Sequence, residues 1–211
     1  MDALIFGGIV LAAYLAGSIP FGFLIGKFYG KDIRTLGSCN IGATNVTRVI
    51  GKVPGKICFF LDLLKGYLPV FFAGLIGGRL TSPWSEYLTI VTALAVILGH
   101  MFSIYLKFKG GKGVATSAGG ILALAPLACI TGLAVWVVVF KLSRYVSLGS
   151  IVAAAVLPVA GSIYNALGWN RLSAPVIFFL YFAGTLTIIK HHQNIRRLLN
   201  GSENRFEKKN K

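Results

Sequence analysis

Two basic, glycine-rich stretches contain the residues best suited to hold an anion. The segment "GSCNIGATNVTR", residues 37–48, brings Gly37, Ser38, Asn40, Gly42, Thr44 and Asn45 into a short span, and Arg48 closes it. The segment "KFKGGKGVATS", residues 107–117, sets Lys112 between glycines just ahead of an apolar run. Glycine lets backbone N–H groups come close to a ligand, and a helix starting behind the loop adds a positive dipole end. The arginine fork matches phosphate oxygens. Both stretches therefore read as phosphate cradles. The plainer alternative is a pair of turn-rich loops whose charge only orients the chain in a membrane. Neither is a nucleotide P-loop, because glycine would be needed where Leu106 or Ile50 stands.

A third group lies near the C-terminus in "HHQNIRRLLNG". His191 and Asn194 are three residues apart and share a helix face. Ser150, after the basic turn at 141–144, is a further polar candidate. Asp62 and Lys65 have the spacing of an intrahelical ion pair, and His100 reads as a packed or interfacial histidine. A serine nucleophile would need a base and usually an orienting acid. The chain has only 6 acidic residues and no pattern joining one to a His and a Ser. Cys39, Cys58 and Cys129 have no metal-ligand spacing, and no metal or cofactor is expected. The residues thus suit positioning and charge stabilisation of a substrate that is already activated.

These loops are carried by elements that belong in a membrane. Mean hydropathy is +0.75. Only 13% of the 211 residues are charged, half the roughly 25% of soluble domains. Apolar windows cover 3–24, 57–78, 87–106, 114–140, 147–164 and 173–190. The window 114–140 contains Pro126, which removes a backbone donor and breaks or kinks a helix. Splitting it there gives seven helices, with the N-terminus outside and the C-terminus inside. The outer side then holds Asp2, Arg79, Glu86 and Arg171, which cancel, and the whole net charge of +15 falls on the inner side. That includes Lys141, Arg144, Arg196, Arg197, Arg205, Lys208, Lys209 and Lys211. Excess Lys and Arg on one side is the main determinant of orientation. The weak point is length, since neither half of 114–140 reaches across ~30 Å of hydrocarbon without tilt or thinning. The expectation is an all-α polytopic membrane protein with one domain over 1–211, ending in a frayed polar tail from 201 to 211. The positive charge is assigned to membrane orientation, and no nucleic-acid partner is expected.

Beyond single residues, the chain resembles the integral-membrane acyl-phosphate:glycerol-3-phosphate acyltransferases, the PlsY family of bacteria. The resemblance rests on "GSIPFGFLIGK", "DIRTLGSCNIGATNVTRVIG", "LDLLKG", "GHMFSIYLKFKGGKGVAT", "RYVSLGSI" and "HHQNIRRLLNGSENRF", in that order, from about Gly17 to Phe206. It implies seven helices in the bacterial plasma membrane, with the active site on the cytoplasmic face. It implies transfer of an acyl group from acyl phosphate, not acyl-CoA, to the 1-hydroxyl of glycerol 3-phosphate. The product is lysophosphatidic acid, in the first acylation of phospholipid synthesis. A soluble enzyme that makes acyl phosphate is the implied metabolic partner. By the same resemblance, Ser38, Arg48 and Lys112 fall on phosphate-binding positions, and Asn40, Thr44 and Asn45 lie in the first motif. Ser150, His191 and Asn194 fall on further substrate positions. Lys112, Arg48 and His191 would act by charge stabilisation and positioning, helped by loop N–H groups, with no protein nucleophile. The family usually reads Gly-Ser-Gly-Asn where this chain has Gly37-Ser38-Cys39-Asn40. If that position needs a positive φ, Cys39 costs on the order of 1 kcal/mol or more.

Other classes fit less well. The HxxxxD motif of acyl-CoA-dependent acyltransferases is absent, since Tyr105, Arg196 and Arg197 stand where the aspartate belongs. The CDP-alcohol transferases need several aspartates for metal. A transporter of organic phosphate would favour sequence repeats and a midplane site, and a non-catalytic scaffold leaves the cradles without use.

Overall fold

The computed structural model describes residues 2–78 and 85–206. Arg79, Lys208, Lys209 and Lys211, together with the side chain of Glu86, lie outside that description. The chain forms two compact units, Met1–Leu124 and Ala125–Lys211.

In the first unit, α1 (Asp2–Ser18) and α2 (Phe21–Phe28) form one apolar run broken at Ile19 and Pro20. Proline disfavours the helical conformation in the residue before it and lacks an N–H of its own. The loop 29–42 leads to a short α3 (Ala43–Val49), followed by α4 (Lys52–Gly77), α5 (Ser85–Met101), a 3-10 turn at Ile104–Leu106 and α6 (Val114–Leu124). Glycines set the packing. A Cβ on Gly17 would strike the Val96 carbonyl, and one on Gly99 the Tyr14 carbonyl, so α1 and α5 touch backbone to backbone. Gly66 and Gly119 do the same for α4 and α6, against the carbonyls of Thr116 and Leu63. Close approach through small residues is how helices associate where lipid removes the hydrophobic drive.

In the second unit, α7 (Pro126–Ser143), α8 (Val146–Ala166) and α9 (Ala174–Lys190) pack in sequence, and α10 (His192–Leu199) turns off α9 by 56°. Arg144 takes a left-handed φ of 63° to close α7.

The break expected at Pro126 is present, with proline opening α7 at its first turn. Among the described residues five helices are long and apolar enough to cross a bilayer, and a sixth counts if α9 and α10 are taken as one bent span. α6 has 11 residues, a rise of ~16 Å against a core of ~30 Å. Large apolar side chains such as Leu4 and Phe178 point outward, as a lipid-facing surface requires. The tail differs from the expectation: Gly201–Phe206 is docked rather than frayed. The Phe206 N–H donates to the Arg144 carbonyl (3.1 Å), and its ring meets Phe140 edge-on.

Candidate active site

The first loop is built around Asn45, whose side chain is fully buried. Its Nδ2 donates to the carbonyls of Ile33 (2.8 Å), Leu36 (3.0 Å) and Asn40 (2.8 Å), and its Oδ1 accepts the Ser38 N–H at 2.8 Å. The Cys39 N–H bonds to the Leu36 carbonyl, and the Gly42 N–H to Oδ1 of Asn40. These three N–H groups are therefore used inside the loop. Asn45 and Asn40 shape the loop, and Ser38, Thr44 and Arg48, all half-buried, decorate it.

A small apolar core of Ile33, Ile41, Val46, Cys58 and Leu106 supports the loop from below. Asp32 pins its start, accepting from Nε and Nη2 of Arg34 at 2.9 and 2.6 Å. Hydrogen bonds from the Arg34 side chain and backbone hold the Asp32 carboxyl at about 2, below the usual carboxylate range. Two positions in the loop take a left-handed φ: Gly37 at 60° and Cys39 at 54°. Gly37 must also lack a Cβ, because one would strike Oδ1 of Asn45. Cys39 is the residue that departs from the family pattern, and its backbone does need the conformation that glycine adopts at least cost.

The second loop folds back on the end of α5. The Gly110 N–H donates to the Met101 carbonyl (3.2 Å) and the Gly111 N–H to the His100 carbonyl (3.0 Å). Gly113 has a φ of 78° and directs the chain into α6. Lys112, half-buried, lies between Gly111 and Gly113. Behind the loop, Asp62, Lys65 and His100 are buried together. The ion pair expected between Asp62 and Lys65 is present at 2.7 Å, and His100 joins it, with Nδ1 3.7 Å from Asp62 Oδ1.

In the second unit, His191 occupies the bend between α9 and α10 and is buried. Its Nδ1 lies 2.8 Å from the Thr187 carbonyl. A carbonyl can only accept, so Nδ1 carries the proton and the neutral ring has its lone pair on Nε2. Asn194, one turn on and also buried, donates Nδ2 to Oε1 of Glu203 at 2.7 Å. The same oxygen accepts from Ser147 (2.8 Å), and Oε2 accepts from Nε of Arg197 (2.7 Å). Burial alone would raise the Glu203 carboxyl. The hydrogen bonds from Arg197, Asn194 and Ser147 and the Arg197 charge outweigh it and hold the group below its ordinary value. Ser150 is buried; its hydroxyl donates to the Val146 carbonyl (3.0 Å) and accepts from Nε1 of Trp136 (3.3 Å).

Sequence reasoning missed Glu203 as a structural partner and His100 as a partner of Asp62. The signal for Glu203 was the "NG" at 200–201: Gly201 takes a φ of 68°, the left-handed stop that turns the chain back toward α10.

The glycerol-3-phosphate acyltransferase family model matches residues 7–201. The chain is 48% identical over 199 residues to a glycerol-3-phosphate acyltransferase of Syntrophotalea carbinolica, covering 94% of this chain and 96% of that one. It is 44% identical over 198 residues to one of Trichlorobacter lovleyi, with coverage of 94% and 96%. A crystal structure of PlsY, an integral membrane glycerol 3-phosphate acyltransferase, in its glycerol 3-phosphate form superposes with a TM-score of 0.85 at 40% identity, over 98% of this chain and 96% of that one. The same enzyme in its lysophosphatidic acid form gives 0.82 at 39% identity, with the same coverage. By these matches, the chain belongs to the glycerol-3-phosphate acyltransferase family of integral membrane enzymes.

Proposed function

We propose that the protein transfers a fatty acyl group from acyl phosphate to the 1-hydroxyl of sn-glycerol 3-phosphate. The products are lysophosphatidic acid and inorganic phosphate. The observation that carries the acceptor and product is the likeness, across 98% of the chain, to a structure in glycerol 3-phosphate and lysophosphatidic acid forms. The donor is the one the family resemblance implies, and the side chains suit it. The candidate residues are Lys112, Arg48, Ser38, Thr44, Ser150, His191 and Asn194, and none of the serines has a base and acid arranged behind it. A mixed anhydride of a carboxylic and a phosphoric acid is already activated and needs no protein nucleophile.

In this reading, Ser38, Thr44, Arg48 and Lys112 meet phosphate oxygens, while Asn40 and Asn45 hold the first loop in shape. His191, whose Nδ1 bonds to Thr187, helps hold glycerol 3-phosphate, and Asn194 and Ser150 complete the contacts. The hydroxyl oxygen attacks the acyl carbonyl carbon and the bond from that carbon to the phosphate oxygen breaks. The departing phosphate takes the hydroxyl proton. Lys112 and Arg48 stabilise the charge that grows on it. A folded Lys112→Ala protein is expected to lose about 10²-fold or more in turnover; full turnover would contradict the role.

We further propose that the 1–211 chain is one membrane-embedded domain of the bacterial plasma membrane, with seven membrane helices. Its N-terminus would be outside, and the C-terminus and both basic loops cytoplasmic. The placement of the net charge of +15 supports this orientation. α6 would then be a short membrane helix held on α4 through Gly66 and Gly119. A fusion reporter placed after Arg144 should report the cytoplasmic side; outer-face activity would overturn the topology.

A further inference from the structure

Three buried polar side chains in the first unit have no part in the proposed chemistry. Asp62, Lys65 and His100 are 2%, 7% and 5% exposed. Charge buried within membrane-spanning helices is costly, and apolar residues could fill the same volume. What these groups touch gives them a use. On one side, Nζ of Lys65 donates to the Ile19 carbonyl at 2.7 Å and lies 5.4 Å from the centre of the Phe21 ring, at the break between α1 and α2. Ser103, just past α5, donates to the neighbouring Ser18 carbonyl. These are carbonyls a helix end leaves without an internal partner.

On the other side, Asp62 faces Nδ1 of His100, and His100 supports the second glycine loop twice. Its carbonyl accepts the Gly111 N–H. Its ring also occupies the place that a Cβ on Gly111 would take, with Nε2 the nearest atom. Gly111 is the residue before Lys112. A tilt of the His100 ring therefore moves the backbone that aims the Lys112 side chain.

We infer that Asp62, Lys65 and His100 are positioning residues: a buried chain that runs from the α1–α2 break to Gly111 and fixes where Lys112 presents its ammonium. The inference rests on the reading of Lys112 as a phosphate-binding residue. It assigns Asp62 and Lys65 the task of holding the His100 ring in one orientation, and His100 the task of a steric and hydrogen-bonding stop for the loop.

The contact between His100 and Gly111 makes the inference testable by a reciprocal pair. Gly111→Ala adds a methyl where the imidazole lies and should raise KM for a phosphate-bearing substrate about tenfold or more, with a smaller change in kcat. His100→Ala should also raise that KM. Because it removes the obstructing ring, the double variant should perform better than Gly111→Ala alone, which a merely structural role would not produce. KM for palmitoyl phosphate and for glycerol 3-phosphate would be measured on detergent-purified full-length variants with parental elution profiles. If His100→Ala does not fold, His100→Asn takes its place in the pair; if neither folds, Gly111→Ala alone decides. Parental KM values in Gly111→Ala, or a double variant no better than Gly111→Ala, would overturn the inference. Lys112→Ala run in parallel separates the causes. A raised KM there with parental values in Gly111→Ala and His100→Ala sinks only the positioning chain. Parental KM and parental turnover together in Lys112→Ala sink the reading of Lys112, and the inference with it.

Discussion

The Ser38 N–H donates to the side-chain oxygen of Asn45 at 2.8 Å, so the serine's place in the first loop is set by a buried amide seven residues further along the chain. That amide also gathers three carbonyls, from Ile33, Leu36 and Asn40. A loop held from its centre in this way can present side chains to a ligand without ordering them afresh at each turnover.

Replacing Asn45 should therefore damage the loop as a whole. Asn45→Ala leaves three carbonyls and one N–H without their partner, a loss of about 4 kcal/mol at roughly 1 kcal/mol per bond. Asn45→Asp should be comparably harmful, because it swaps a donor for an acceptor facing carbonyl oxygens. Thermal midpoints in detergent check this. A parental midpoint in both variants would show that the loop is held by something else.

Cys39 carries strain that glycine would relieve. At a φ of 54° a side chain is held in the left-handed region, at a cost of about 1 kcal/mol. Cys39→Gly restores the usual residue of the family, but glycine also gains freedom in the unfolded chain, which offsets part of the benefit. The net expectation is a rise in thermal midpoint with activity retained. Because the thiol is exposed, a small thiol reagent should modify it in the native protein well before the buried Cys58 and Cys129.

Glu203 gives stability a definite acid limb. Its folded pKa is depressed below the ordinary 4.5, so the native state binds a proton less readily than the unfolded chain. The stabilisation it provides is complete above that ordinary value and is lost as pH falls through the lower folded value. Glu203→Gln keeps the shape but weakens the charge-assisted bonds to Arg197 and Asn194, a loss of about 2 kcal/mol at neutral pH. The gap in thermal midpoint between parent and variant should be widest at pH 7 and should narrow below pH 4.5. A gap that stays constant with pH would mean that the carboxylate charge does not hold the tail.

How much of this was legible in the sequence depended on whether the signal was local. Pro126 announced the start of α7 because proline acts on its own backbone. The spacing of Asp62 and Lys65 announced their ion pair because one helical turn brings them together. The first loop was recognisable as a polar, glycine-rich motif. Composition could not say which amide points inward, and it is Asn45 whose polar atoms bind the loop. Glu203 was hidden for a different reason: its partner Ser147 is 56 residues away, and the Asn200-Gly201 turn marks a reversal of the chain but not what the carboxylate meets. The length of α6 was not legible because an apolar window gives total length but not where packing ends a helix. Gly66 and Gly119 seat α6 on α4, and its run stops after 11 residues.

The central claim is best tested by following both products from one reaction. Purified protein in detergent or lipid mesophase would receive palmitoyl phosphate and glycerol 3-phosphate, with palmitoyl-CoA as donor in a parallel reaction. Lysophosphatidic acid and inorganic phosphate would be measured together. We predict that the two appear in equal amounts from palmitoyl phosphate and that palmitoyl-CoA gives no product. Lysophosphatidic acid formed from palmitoyl-CoA alone, or no acylation with either donor by folded protein, would contradict the account.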